Sequence, residues 1–83
     1  MKTGWLVCDE ITKGMFSDEL VVVVTRSNGE QVSYFVPADK VEREQKRVRV
    51  RFGDIQGRSH LFWATLPTSE PVTIPVEKSY IVQ

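Results

Sequence analysis

An alternating run of cations and apolar residues is the clearest chemical feature of this 83-residue chain. Residues 46–52 read Lys-Arg-Val-Arg-Val-Arg-Phe. Because a β-strand sends successive side chains to opposite faces, this pattern predicts a strand with Arg47, Arg49 and Arg51 together on one face. The opposite, apolar face can build a core. The arginine face must lie in water, on a polyanion, or against acidic residues of a partner.

The strand that follows the arginines decides what else shares their face. With a four-residue turn between the two strands, Arg51 lies opposite His60 and Arg49 lies opposite Phe62. Cations interleaved with a ring are typical of proteins that bind single-stranded nucleic acid, because cations hold phosphates and rings stack on bases. A turn one residue longer reverses the alternation, so that Leu61 and Trp63 join the arginines and Phe62 turns inward. The sequence leaves both arrangements open.

Two other interpretations of the arginine face compete with nucleic-acid binding. The face can simply be solvated, with the arginine stems covering apolar neighbours and the charges discouraging edge-to-edge aggregation. It can also contact a protein. The chain has 11 lysines and arginines against 11 aspartates and glutamates, so no overall field attracts nucleic acid. Three cations predict weak binding in any case.

Few residues could support catalysis or bind a metal. Cys8 is the only cysteine and His60 the only histidine, so neither an internal disulfide nor a thiolate–imidazole zinc site can form. A Cys8–His60 nucleophilic pair is disfavoured because Cys8 follows apolar residues, where a thiol packs as a small hydrophobe. The acidic pairs around residues 9–19 lack the spacing of a calcium loop. We therefore expect no enzymatic activity, no metal, no cofactor and no small-molecule substrate.

The same composition bears on location and organisation. The lone cysteine is typical of a reducing compartment, so we expect a cytoplasmic protein. No apolar run approaches the roughly 20 residues of a membrane span, so we expect no membrane contact. We find no internal repeat, and residues 1–83 are predicted to form a single small domain.

A valine-rich run followed by an Asn-Gly dipeptide predicts a β-hairpin. Residues 20–25 read Leu-Val-Val-Val-Val-Thr, which strongly favours extended backbone. Asn28-Gly29 fits a two-residue type I′ turn, which needs positive φ at both central residues. In the resulting register Val22, Val24 and Phe35 share one face. Since the run is apolar on both faces, we expect these three residues to contact a second copy or a partner protein.

Turn residues divide the remaining chain into short strands. Six strands at roughly ten-residue spacing predict an all-β fold, a small and mostly antiparallel barrel of five to six strands. Residues 38–45 predict a loop or one helical turn. Residues 73–82 resemble the closing segment of SH3-like barrels, in which a short turn precedes the last strand. That resemblance implies an SH3-like architecture and no particular function.

Together these features predict a non-catalytic binding or accessory module that acts through protein–protein contact. One alternative is a weak, sequence-independent nucleic-acid binder that uses the Arg47, Arg49 and Arg51 face. A second alternative is a subunit whose active site forms only on oligomerisation.

Overall fold

The computed structural model describes all 83 residues and shows an all-β chain of two antiparallel sheets. Its strands are β1 Lys2–Val7, β2 Glu10–Lys13, β3 Glu19–Thr25, β4 Gln31–Pro37, β5 Val41–Glu42, β6 Arg47–Ile55, β7 Arg58–Leu66, β8 Val72–Glu77 and β9 Ile81–Val82. Two 3₁₀ turns, Ala38–Lys40 and Lys78–Tyr80, precede β5 and β9. None of the helical segments is long and apolar enough to cross a membrane.

The larger sheet has the order β8–β7–β6–β1–β9, with β5 also pairing with β6, and the smaller sheet has the order β2–β3–β4. Alternating burial marks the core faces. Leu20, Val22 and Val24 of β3 are buried, as are Val48 and Val50 of β6. A single cluster of 13 buried residues joins the two sheets, so both share one core.

The order of elements is repeated within the chain. Each half has an initial strand, a hairpin, a 3₁₀ turn and a two-residue final strand. The initial strand is divided into β1 and β2 in the first half, whereas it is the single long strand β6 in the second half. The offset that takes Leu6 to Val48 also takes Val24 to Leu66, and all four side chains are fully buried. The two halves therefore place equivalent residues in equivalent core positions.

The halves exchange their final strands. β1 and β6 pair in the centre, where Leu6 faces Val48. β5 then pairs with β6, and β9 pairs with β1, so each half is completed by the last strand of the other. Our expectation of no repeat was wrong. Equivalent residues of the two halves are mostly similar rather than identical, and Val36 with Val76 is one of the few identical pairs.

The β3–β4 turn is longer than predicted. The Gly29 N–H donates to the Arg26 carbonyl oxygen at 2.9 Å, and the Arg26 N–H donates to the Glu30 carbonyl oxygen at 2.8 Å, which leaves three residues in the loop. Only Gly29, with φ of 86°, takes the left-handed conformation. Asn28 instead accepts the Glu30 N–H through Oδ1. The two-residue type I′ turn was therefore wrong, and the strand register shifts by one residue.

That shift reverses the predicted contact face. Val22 and Val24 are fully buried in the core, whereas Phe35 is 51% exposed on the opposite side of the sheet. Phe35 pairs with Val21, which is half-buried on this outer face. The prediction that Val22, Val24 and Phe35 form one surface was wrong, because a one-residue change in register moves every side chain of a strand to the other face.

The β6–β7 hairpin has a shorter turn than either alternative, because Ile55 pairs with Arg58 and the register shifts between Asp54 and Ile55. Its faces agree with the second alternative for Phe62 and Trp63, but Leu61 is buried rather than placed beside the arginines. β6 continues through Asp54 to Ile55, and Arg51 pairs with Thr65 rather than with His60. Phe62 turns inward, with its ring centroid 4.9 Å from that of Phe52. The expected placement of Phe62 beside the arginines was therefore wrong.

Candidate anion-binding groove

A gap in the pairing of β6 creates an open groove beside the arginine face. β1 pairs along one edge of β6, while β5 and β7 occupy the other edge one after the other. β5 ends its pairing at Val48, and β7 begins at Arg51. Arg49 and Val50 therefore have no strand partner on that edge. The groove there has a volume of about 400 Å³, and Val50 and Leu66 lie in its floor.

The walls of this cationic groove carry positive charge and no carboxylate. The lining side chains besides Val50 and Leu66 are Thr3, Lys40, Arg49, Arg51, Thr65, Pro67 and Pro71. The ion pairs of the protein involve other cations, namely Arg26, Arg47 and Lys78. Lys40, Arg49 and Arg51 are thus free to bind an external anion, and the Thr3 hydroxyl can donate a further hydrogen bond. The Thr65 hydroxyl is already hydrogen-bonded to the hydroxyl of Thr73.

Local structure explains how each cation reaches the groove. Trp5 lies opposite Arg49 across the β1–β6 pair, and the Arg49 guanidinium carbon is 4.9 Å from the centroid of the indole ring. This cation–π contact orients Arg49 without neutralising it. Arg51 is exposed between Thr3 and Thr65 in the sheet register. Lys40 ends the first 3₁₀ turn, directly before β5.

Arg47 has a different environment from the other two arginines. Its Nε donates to the Glu42 carboxylate, and its guanidinium carbon lies 4.8 Å from the Trp5 ring centroid. Because Glu42 neutralises it and Trp5 covers it, Arg47 fixes β5 against β6. The structure therefore brings Arg49 and Arg51 into the groove and leaves Arg47 outside it.

The remaining predicted residues also lie outside the groove. His60 is exposed near the start of β7, and Phe62 is in the core. Besides Trp5, the ring that shares the arginine face is Trp63, which is 40% exposed and pairs with Gly53. The sequence pointed to Trp63 only through the longer-turn alternative. Lys40 gave no sequence signal, because its position depends on β5 and β7 sharing one edge of β6.

The lone thiol of the chain, Cys8, is buried in the core. Burial raises the pKa of the Cys8 thiol to about 12, with the Asp9 carboxylate adding to the shift, so the thiol stays protonated near neutral pH. No group of three or more histidine, cysteine, aspartate or glutamate side chains is placed to hold a metal ion. What the groove can do is hold an anion through charge and hydrogen bonds.

Comparisons with known proteins do not assign a function to this groove. No family model matches the chain, and neither the curated proteins nor the solved structures contain a significant match. The groove is therefore interpreted from its shape, its charge and its neighbouring ring.

Proposed function

We propose that this chain is a non-catalytic binding module that holds single-stranded nucleic acid in the cationic groove without sequence preference. The observation that carries the proposal is the convergence of Lys40, Arg49 and Arg51 around one opening that no carboxylate lines. Unpaired cations around a concave surface favour a polyanionic ligand.

The neighbouring indole favours a nucleic acid among polyanions. Trp63 and Arg51 are diagonal neighbours on the same face, because Trp63 pairs with Gly53 and Thr65 pairs with Arg51. Diagonal neighbours in a sheet lie about 7–8 Å apart, close enough for one nucleotide to place its phosphate on Arg51 and its base on Trp63. The bases of a duplex are stacked on each other and cannot use the ring, so a single strand is the better ligand.

The number of cations limits the affinity. Each phosphate contact with a single strand contributes about 0.7 to the slope of log K against log salt, so three contacts give a slope near 2. Stacking on one aromatic ring adds roughly 1–3 kcal/mol. Binding is accordingly weak at physiological salt and measurable at low salt.

We also propose that the fold follows an SH3-like plan and that the protein acts in the cytoplasm. The 3₁₀ turn before each short final strand supports an SH3-like plan, here present twice with exchanged final strands. Cys8 is the only cysteine and its thiol is buried, which fits a reducing compartment.

The test is a salt titration of binding to fluorescein-labelled oligo-dT, followed by anisotropy. In the double variant Arg49→Gln with Arg51→Gln, the slope should fall by roughly 1.4, because two phosphate contacts are lost. Arg58→Gln is the control, with the change in slope compared per cation removed, since Arg58 is an exposed cation outside the groove. Trp63→Ala should weaken binding and leave the slope unchanged.

Two results would contradict the proposal. One is the absence of oligo-dT binding at micromolar protein in low salt. The other is an equal fall in slope per cation removed for the groove variant and for Arg58→Gln, which would show that charge acts without regard to position. Tighter binding of a duplex than of a single strand would remove the role given to Trp63.

A further inference from the structure

β4 is an edge strand whose outward backbone groups have no partner. It pairs with β3 alone. Because Arg26 and Glu30 form a hydrogen-bonded pair, alternation along the hairpin directs the N–H and C=O groups of Gln31, Ser33 and Phe35 away from β3. No other backbone segment and no side chain donates to or accepts from these groups.

The equivalent strand of the second half, β8, is protected. Pro75 in β8 has no N–H, and its carbonyl oxygen accepts the Ser27 N–H at 2.8 Å. The counterparts of Ser27 and Pro75 in the repeat are Ser69 and Phe35, and these two make no such bond. β4 carries no charged side chain to discourage pairing, and its proline, Pro37, is the last residue of the strand and so leaves the edge from Gln31 to Phe35 intact. Proteins usually protect long edge strands, so an unprotected one indicates a docking edge.

A slot of about 300 Å³ separates the end of β4 from residues 67–69. The side chains that line it are Asp18, Glu19, Phe35, Val36, Pro37, Pro67, Thr68 and Ser69. The Asp18 and Glu19 carboxylates make no ion pair, and no cation lines the slot, where the Phe35 ring is exposed. The Glu19 carboxylate accepts only the Met15 N–H and keeps its negative charge. The slot is therefore complementary to positive charge.

We propose that an extended, basic segment of a partner protein adds to β4 as a further strand. Its backbone bonds to Gln31, Ser33 and Phe35, and a lysine or arginine side chain of the segment lies on the Phe35 ring beside Asp18 and Glu19. A second copy of this chain fits less well, because β4 itself offers no cation to the slot. The docking edge shares only Pro67 with the cationic groove and does not depend on nucleic-acid binding.

The test uses an eight-residue peptide of alternating threonine and valine with one central lysine, and a twin peptide with glutamate at that position. Amide resonances of ¹⁵N-labelled protein report the site. The lysine peptide should shift the Gln31, Ser33 and Phe35 amides and slow their hydrogen exchange. It should bind roughly fivefold or more tightly than the glutamate peptide.

Two kinds of variant separate the backbone and charge contributions. Ser33→Pro removes an N–H that the fold does not use, and it should abolish peptide binding; Thr73→Pro, at the equivalent position of β8, should not. If Ser33→Pro fails to fold, Asp18→Asn with Glu19→Gln still tests the charge, since it should erase the preference for lysine. Phe35→Ala should weaken the lysine peptide more than the glutamate peptide.

Three outcomes would overturn the inference. Equal affinity for the two peptides would show that the docking edge does not select a basic partner. Amide shifts confined to the larger sheet would show that the peptide does not bind at the β4 edge. Concentration-dependent dimerisation in light scattering that Ser33→Pro abolishes would assign the edge to a second copy of the chain instead.

Discussion

The two halves of the chain build the same core from equivalent positions and yet present opposite surfaces. In the first half, the three-residue loop after β3 covers the edge of β8 through Ser27. In the second half, a slot separates residues 67–69 from the end of β4. The difference teaches that the buried positions of the repeat are equivalent, whereas the contact made by the connecting loop decides which sheet edge remains open.

Charge separates the halves in the same way. Arg49 and Arg51 of the cationic groove correspond to Val7 and Asp9 in the first half. Asp9 accepts a hydrogen bond from Thr25 and so stabilises a turn instead of lining a groove. The arginines of the cationic groove come from the second half and the β4 edge comes from the first half, although residues of both halves line each surface.

The largest effect is expected from the one titratable group in the core. Cys8 is equivalent to Val50, so Cys8→Val makes the two halves alike. The folded protein keeps the thiol protonated up to pH about 12, whereas the unfolded chain ionises above its ordinary value of 9.0. Stability is thus lost as pH rises through this window, by at most about 1.4 kcal/mol per pH unit.

The measurement is urea unfolding between pH 8 and pH 11 for the wild type and for Cys8→Val. The difference in unfolding free energy between the two proteins should drift in favour of the variant above pH 9, because valine cannot ionise. Other groups that titrate in this range cancel in the difference. A constant difference across the range would show that Cys8 is not protected in the folded state.

A smaller effect is expected at Gly4 of β1, close to the point where β9 pairs with this strand. A Cβ added at Gly4 would lie 2.8 Å from Phe52 Cε1 and 2.9 Å from the Val82 carbonyl oxygen. Gly4→Ala should therefore destabilise the protein by about 1–3 kcal/mol in thermal or urea unfolding, since either β9 or Phe52 must move.

Gly53→Ala is the matched control for Gly4→Ala. Its added Cβ would have only Met1 Cγ nearby, at 3.8 Å, which is an ordinary contact. Equal destabilisation by the two substitutions would argue against a close approach of β9 to β1, and hence against the strand exchange.

The smallest effect is expected in the loop that covers β8. Gly29→Val should cost about 1–2 kcal/mol of unfolding free energy, because φ of 86° is strained for a β-branched residue. Gly57→Val, at φ of 79° in the β6–β7 turn, should cost a similar amount. Amide exchange separates them, since only Gly29→Val should speed exchange in β8. Unchanged stability in the Gly29 variant would contradict the left-handed conformation there.

Sequence reasoning succeeded where side-chain periodicity decides the structure. The all-β class, the strand at residues 20–25 and the shared face of Arg47, Arg49 and Arg51 follow from alternation and from β-branched residues. It failed where one residue of turn length decides the face. The Asn-Gly turn takes three residues rather than two, so Val22 and Val24 entered the core instead of the surface.

The candidate sites show the same division. The alternation of residues 46–52 determined that cations would line one face of β6, because it depends only on neighbours along the chain. The addition of Lys40, the pairing of Arg47 with Glu42 and the open edge of β4 were decided by the tertiary structure. Each depends on which distant strands meet, and strand pairing is set by packing of the whole core rather than by local sequence.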